Sequence, residues 1–410
     1  MLSSGAGPEG PIVTFVQVLL LFEASLYSAV TPVLPHYAHV LGASKPAVGV
    51  LTAAYPAGLI PGSFLGGWLA VHVGVKRTTL FGLLLFAVSA IPFGFGSDIA
   101  TLDLLRFVQG VASGCIWGGG LTWVIAVAPR QRRGEVLGST IGAAILGTLL
   151  GPVLGTLAVA IGTGVVFSLV GAVSIGLAFW TGRHPEPPRP EASPRTSLRS
   201  LVGNRRIVLG FWLILLVACT VGATGTLLPL RLAQFGASGV LIGVTFLVSA
   251  LLSYLLAAPI GRAVDRRGEG LSLTVGLVTM AGLLAVLPVP RSAVLLAVLT
   301  VAAFGPPLTA CTIPAMSVMT AAAERAGIAI ALATMLLNLG WATGETIGAP
   351  VAANLSQATS DAVPLIVLAA IMLLTLWPVR RARLNREIGV EARPQDPALE
   401  AERGVPVGTR

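Results

Sequence analysis

Charge is what this 410-residue chain has least of. Asp, Glu, Lys and Arg make up 10% of it, whereas a soluble domain carries about 25%. A chain so poor in charge cannot cover a water-facing surface with polar groups, which excludes an ordinary soluble protein. Lysine is nearly absent, with two residues against 24 arginines. Cysteine is scarce as well. Cys115, Cys219 and Cys311 all fall within apolar stretches, and their spacing fits neither a disulfide framework nor a zinc site. The four histidines, His36, His39, His72 and His184, are not spaced as metal ligands and are read as loop residues. There is no nucleotide-binding glycine–lysine loop and no soluble domain. ATP coupling, a bound metal, a cofactor and enzyme activity are therefore not expected.

What fills the chain instead is apolar: 55% of its residues are hydrophobic and the mean hydropathy is +0.88. Between clusters of charge lie apolar stretches of roughly 18–25 residues, the length that carries a helix across about 30 Å of hydrocarbon. Backbone groups in lipid must pair within the segment, so these stretches must be helices. Twelve are expected, at 12–35, 47–71, 78–97, 102–127, 136–160, 163–181, 207–230, 239–261, 271–289, 293–320, 327–352 and 362–379. The tenth is the least regular, because it is rich in proline.

A net charge of +9 is compatible with nucleic acid, but its placement is not. With the N-terminus taken as cytoplasmic, 22 of the 26 basic residues fall in inner loops and the tail, against Lys45, Arg231 and Arg291 outside and Arg106 within a span. This is the positive-inside asymmetry. It places both termini in the cytoplasm of a cell (inner, plasma) membrane. The partners it implies are the lipid bilayer and a small-molecule substrate, not nucleic acid. Glu23 interrupts the first apolar run and no basic segment precedes it, so that run is read as a retained span rather than a signal peptide.

Residues 183–206, rich in proline and arginine, read as a cytoplasmic linker between bundles at 1–182 and 207–380; residues 381–410 read as a disordered cytoplasmic tail. The two halves repeat each other. Gly67 and Gly74 match Gly261 and Gly268 at an offset of 194, and Pro35 matches Pro229 at the same offset. Gly134, Gly147, Gly151 and Gly155 match Gly327, Gly340, Gly344 and Gly348 at 193. Such a duplication predicts two six-helix bundles related by an axis along the membrane normal, with a site between them near the midplane.

Three motifs carry a family resemblance. GRAVDRRGEGL (261–271) and its copy GWLAVHVGVKR (67–77) resemble the signature loop of the major facilitator superfamily, through Gly261, Asp265, Arg266 and Gly268, and through Gly67, Gly74, Lys76 and Arg77. The first copy departs from the pattern, with Val71 for the acid and His72 for the arginine. Gly138, Gly147, Gly151, Pro152 and Gly155 resemble the family's antiporter motif at every fixed position. Glycines four apart let another helix approach closely, and proline frees a carbonyl and bends the helix; a hinge or seal at the interface between halves is expected. Arg106, Gln109 and Gly110 resemble the family's fourth-span motif, and the segment around Glu23 is similar to the first span of twelve-span drug:proton antiporters.

The resemblance covers about residues 12–380. It implies an all-α integral membrane protein, with twelve transmembrane helices in two pseudo-symmetric bundles, working as a monomer. In that fold spans 3, 6, 9 and 12 lie outside the central cavity, and the expected ones carry no charge at all. Well inside the spans lie only Glu23, Arg106 and Glu345, with Asp103 near the outer end of span 4. A charge facing lipid costs about 2.5–3.5 kcal/mol, so such residues usually face a cavity and act there. The resemblance implies an antiporter that exchanges protons for small lipophilic or weakly cationic organic molecules and exports them. Glu23, Arg106, Gln109 and Glu345 are the candidates for proton coupling and substrate contact. The signature loops are candidate inner gates. Trp117, Trp123 and Trp341 either wall the cavity or pack between helices, and Glu23 and Glu345 are each alternatively a neutral glutamate bonded to a neighbouring helix. An uptake symporter or uniporter on the same fold, or a non-transporting sensor, are the competing readings. On this reading proton coupling resides mainly in the first half, and the second supplies the better inner gate.

Overall fold

A computed structural model describes residues 10–128, 132–187, 203–326 and 330–382, without the side chains of 133–135 and 330–334. Most of the expected linker and tail, and Gly327 of the repeat, lie outside the described residues.

Among the described residues there are helices and no strands. Among the described residues, eleven helical segments are long and apolar enough to cross a membrane. Ile330–Ala358 matches them in length at 29 residues and stands at the eleventh span. The expected starts at 47 and 102 fall short of the helix starts of spans 2 and 4, because hydrophobicity does not register caps, whereas those at 239 and 293 coincide with the starts of spans 8 and 10. Spans 2, 4, 8 and 10 begin at Lys45, Ile99, Gly239 and Ala293, behind Ser44, Asp98, Ser238 and Ser292. Each of these side chains accepts a hydrogen bond from the first turn, where backbone N–H groups lack partners.

Two spans are broken where the sequence has proline. Span 1 runs as Gly10–Ala29, a short 3-10 turn over Thr31–Val33, and Leu34–Val40. The expected single helix at 293–320 is instead Ala293–Phe304 and Pro306–Arg325, parted at Gly305. Pro306 has no N–H to continue the ladder, and proline suits the first position of a new helix. At the break Phe304 O accepts from the hydroxyl of Ser253 of span 8 at 2.8 Å, while Gly305 O accepts from the hydroxyl of Thr309 at 2.8 Å and its N–H at 3.4 Å, with the Ser253 hydroxyl at 3.3 Å.

Spans 1–6 share one buried cluster, built around Phe15, Leu19, Leu83, Phe86 and Trp123. Spans 7–12 share another, around Leu213, Leu277, Met280, Cys311 and Met319. The repeat appears as a repeated packing. Span 5 lies on span 1, with Gly147, Gly151 and Gly155 against Leu21 O, Ser25 O and Ala29 O; span 11 lies on span 7, with Gly344 and Gly348 against Leu215 O and Cys219 O. The expected place of the antiporter glycines at the interface between halves is thus corrected: they seat span 5 on its own half. Gly138 takes no part, having nothing within 4 Å of a Cβ position. Helix Arg133–Ile161 runs unbroken through Pro152. The carbonyl that Pro152 leaves free, Thr148 O, accepts from Ser28 of span 1 at 3.0 Å.

The halves meet at the end of the bundle away from the basic loops. There Gly49 of span 2 fits against Ala349, Pro350 and Ala353 of span 11, and Gly239 and Gly243 of span 8 against Val159 and Thr156 of span 5. Lys45 also pairs with Asp361 at 2.5 Å, the single ion pair among the described residues. At the basic end Gly67 and Gly261 face open space, and Phe64, Trp68, Tyr254 and Leu255 are exposed. Among the described residues, the glycine contacts and the ion pair between the halves lie at the far end.

Candidate functional site

Close helix packing assembles the site. Span 2 presents Gly58, Gly62 and Gly66 to span 4, which answers with Gly110 and Gly114. A Cβ on Gly110 would lie 2.0 Å from Tyr55 O. Glycine at this point of the R-x-x-Q-G motif therefore lets Tyr55 stand directly beside Arg106.

Glu23 is buried at 2% exposure and receives three donors from two helices. They are the hydroxyls of Tyr55 and Ser113 and, at 2.5 Å, the indole N–H of Trp117. Arg106, at 3% exposure, does not pair with it. Its guanidinium donates to Gln109 Oε1 at 3.0 Å and lies 4.5 Å above the Tyr55 ring, a cation–π contact in a desolvated place. Its Nε has no partner. The Gln109 amide in turn reaches Ser89 O of span 3 at 3.5 Å. Tyr55 thus joins Glu23 and Arg106, touching the acid with its hydroxyl and the cation with its face.

Glu345 is buried at 4% exposure on span 11 and accepts from the hydroxyl of Tyr27 on span 1. Trp341 donates to the same Tyr27 oxygen at 3.4 Å, and the Tyr27 and Tyr55 rings lie 5.5 Å apart. The acids of the two halves therefore belong to one chain of contacts, Glu23–Tyr55–Tyr27–Glu345. This changes the expectation that the halves divide the chemistry, since Glu345 is bonded to the first half. Of the three candidate wall tryptophans, Trp117 and Trp341 are in the site. Trp123 is fully buried and packs against Phe15.

Tyr27, Tyr55 and Ser113 were not among the residues expected from sequence. Spacing could have found two of them. Tyr27 is four residues after Glu23, and Ser113 lies on one helix face with Arg106, Gln109 and Trp117 at steps of three and four. The chain has only four tyrosines, and two are here.

The candidate gate residues lie elsewhere. Gly67 and Gly261 are inside helices, not in loops. The turns come at Gly74 and Gly268, whose φ of +110° and +81° favours glycine. Asp265, Arg266 and Arg77 are exposed at the basic end. Lys76 grips the end of span 6, donating to Gly182 O and His184 O at 2.7 Å each. Glu186 accepts from Lys76 N at 3.2 Å, so a carboxylate from beyond span 6 meets the turn that Val71 leaves without one. Among the described residues no group of three or more His, Cys, Asp or Glu is placed to hold a metal ion.

The description of the Major Facilitator Superfamily matches residues 15–345. Among curated proteins, the chain is 37% identical over 105 residues to "Multidrug resistance protein MdtL" of Shewanella oneidensis, covering 25% of this chain and 26% of that protein. It is 31% identical over 126 residues to "Quinolone resistance protein NorA" of Staphylococcus aureus, covering 31% and 32%. The matched segments thus span about a quarter to a third of these relatives. Among solved structures, the nucleoside transporter NupG superposes with a TM-score of 0.70 at 14% identity, over 90% of this chain and 98% of that one. A bacterial homolog to the human lysosomal transporter Spinster, in an inward-facing and unoccupied conformation, gives 0.73 at 12%, over 94% and 100%. At these identities the structures show the fold alone.

Proposed function

The chain belongs to the major facilitator superfamily, and on that premise we propose that this transporter is a proton-coupled antiporter exporting small lipophilic or weakly cationic organic molecules. The observation that carries the reading is Glu23. It is an ionisable group deep in a span, ringed by Tyr55, Ser113 and Trp117 and without a cationic partner in contact. An intramembrane carboxyl so placed is suited to take up a proton or to meet a cationic ligand, and to do one at the expense of the other. The partly buried rings of Trp117 and Trp341 offer flat apolar faces to a lipophilic molecule. The family fold, the partial similarity to two drug-resistance proteins and the antiporter glycines Gly147, Gly151 and Gly155 support export.

On the positive-inside rule the basic end is cytoplasmic, so the far end, where the halves meet, faces outward and the structure is read as inward-facing. Both termini then lie in the cytoplasm and the membrane is the plasma membrane. The bundles at 1–182 and 207–380 rock as two bodies about the site, joined by the linker 183–206, in a monomer. Glu23 carries the proton and meets the substrate cation. Arg106, held by Gln109, sets the electrostatic field through Tyr55, and the turns at Gly74 and Gly268, with Lys76, Arg77, Asp265 and Arg266, close the basic end when the far end opens.

The test is Glu23→Gln in everted vesicles under an inwardly acidic gradient. The parent accumulates a lipophilic dye cation inside them; the variant, folded and inserted, does not. Undiminished accumulation by the variant removes Glu23 from the mechanism. Gradient-driven loss of the dye from the vesicles assigns the protein to uptake instead.

A further inference from the structure

Glu345 reaches out of its own half. On span 11 its backbone is pressed against span 7, where a Cβ on Gly222 would lie 3.0 Å from Glu345 O and 3.1 Å from its Cα. Its side chain, however, is bonded to Tyr27 of span 1. Among the described residues, two side-chain groups bond across the halves. One is Lys45 at the far end, with Ser356 and Asp361. The other is Tyr27, with Glu345 and Trp341, deeper along spans 1 and 11. Glu345 has no cation in contact. The titratable groups around it are Tyr27 on span 1, Tyr55 behind it on span 2, Cys219 on span 7 and, farther off, Arg106 on span 4.

A hydrogen bond to an ionised carboxylate is roughly twice as strong as one to a neutral acceptor. The bond between Tyr27 and Glu345 thus changes strength with the charge on Glu345, and it spans the surface along which the halves must move. An exchanger must also not turn over empty, since an empty turnover dissipates the gradient. We propose that Tyr27 and Glu345 form the lock of the empty carrier. With Glu345 ionised, the Tyr27 hydroxyl ties span 1 to span 11 and holds the far end closed. A proton on Glu345, or a cationic substrate beside it, takes over the carboxylate, frees Tyr27 and lets the halves rock. Tyr27 is a positioning residue in this scheme. Its ring against Tyr55, whose hydroxyl is on Glu23, joins the lock to the proposed proton site. The inference rests on the antiport reading, but its first test does not.

That test reads conformation alone. Spin labels are placed at Val40→Cys and Val240→Cys, exposed at the far end of each half, in a background with the native cysteines replaced. The purified protein is reconstituted in nanodiscs without substrate at alkaline pH. With Tyr27 present, one short distance is expected. Tyr27→Phe keeps the ring and removes the hydroxyl, and should raise the long-distance fraction roughly ten- to hundredfold. Glu345→Gln mimics the protonated acid and should do the same, and the double variant should add nothing further. An unchanged distribution in Tyr27→Phe, or effects that simply add, overturns the lock. Should Tyr27→Phe not fold, Glu345→Gln decides alone: a persistent short distance overturns the proposal, and a long one sustains it.

Transport is then read in proteoliposomes with ethidium as the probe cation. The parent should move protons on ethidium addition. Tyr27→Phe should keep ethidium exchange within about threefold while moving fewer protons per ethidium. A parent that moves no protons defeats the antiport reading and leaves the distance result standing. A parent that moves protons and a variant with the same ratio defeat the lock.

Discussion

Gly110 and Gly138 both belong to family motifs, yet the structure gives them opposite fates on substitution. A methyl group on Gly110 would stand 2.0 Å from Tyr55 O, 2.8 Å from Leu59 N and 3.0 Å from Gly58 Cα. All three are backbone atoms, so no side-chain rotation relieves the clash. Ordinary contact begins near 3.4 Å, which means that spans 2 and 4 must part by roughly 1.4 Å at this level in a close-packed interior. Overpacking of this kind costs about 1–3 kcal/mol. A shift of that size also takes the Tyr55 hydroxyl out of its range of about 2.5–3.0 Å from Glu23. Gly110→Ala should lower dye efflux per molecule by roughly 5- to 150-fold and lower the thermal midpoint of the purified protein. Gly138→Ala meets open space and should stay within about 0.5 kcal/mol of the parent, with efflux unchanged. Rates in matched membranes and unfolding curves in detergent measure both. Parent-like behaviour of Gly110→Ala, or equal damage from Gly138→Ala, would refute the reasoning that helix approach assembles the site.

Ser253→Ala should leave the carbonyl of Phe304 at the break in span 10 without its donor, while Gly305 O keeps Thr309, costing about 1–3 kcal/mol for one buried acceptor left unpaired; a lower thermal midpoint with ethidium exchange retained is the expected result. Asp361→Asn should weaken the far-end clasp with Lys45 and raise the fraction of molecules open there, seen as a longer label distance across the far end, though by no more than about 1 kcal/mol for a partly exposed pair. The same clasp has a defined pH dependence. Burial works against the charge on Asp361, but hydrogen bonds from Lys45 and Ser356 and the Lys45 charge outweigh it and hold the carboxyl below its ordinary 3.8. A depressed carboxyl contributes above its ordinary value and loses that contribution as pH falls through its own lower one. In a background carrying both Glu23→Gln and Glu345→Gln, which removes the two acids of the site, the label distance should therefore not change between about pH 7 and pH 5, and lengthening within that window would contradict the assignment.

Much of the architecture was legible because a bilayer constrains sequence so tightly. Twelve apolar stretches, a one-sided distribution of arginine and a repeat at offsets of 193 and 194 can be read without coordinates. The helix packing bears the repeat out, with span 5 on span 1 and span 11 on span 7. The break at Gly305 was not read, although proline marked the span as irregular, because hydropathy averages over a window and does not see one missing N–H. At the site, the two acids and Arg106 stood out because charge is rare inside a span. Tyr55 did not. It is a common residue whose importance comes from an approach of two backbones, and that approach is recorded only as glycines on different helices. That Glu23 and Arg106 meet through Tyr55 could not be read for the same reason.

The difference between the halves follows from one slot of the repeat. Residues 152 and 345 correspond at an offset of 193. In the first half the slot holds Pro152, whose missing N–H frees Thr148 O for Ser28 of the same half. In the second half it holds Glu345, which has a side chain long enough to pass its own glycine-packed seam with span 7 and bond to Tyr27 of the other half. The repeated glycines thus serve both halves alike by seating one span on another, while the residue between them sets what that seam does. A proline there keeps the interaction local. An acid there makes the seam responsive to charge, and it places that response on the surface along which the two bundles must part.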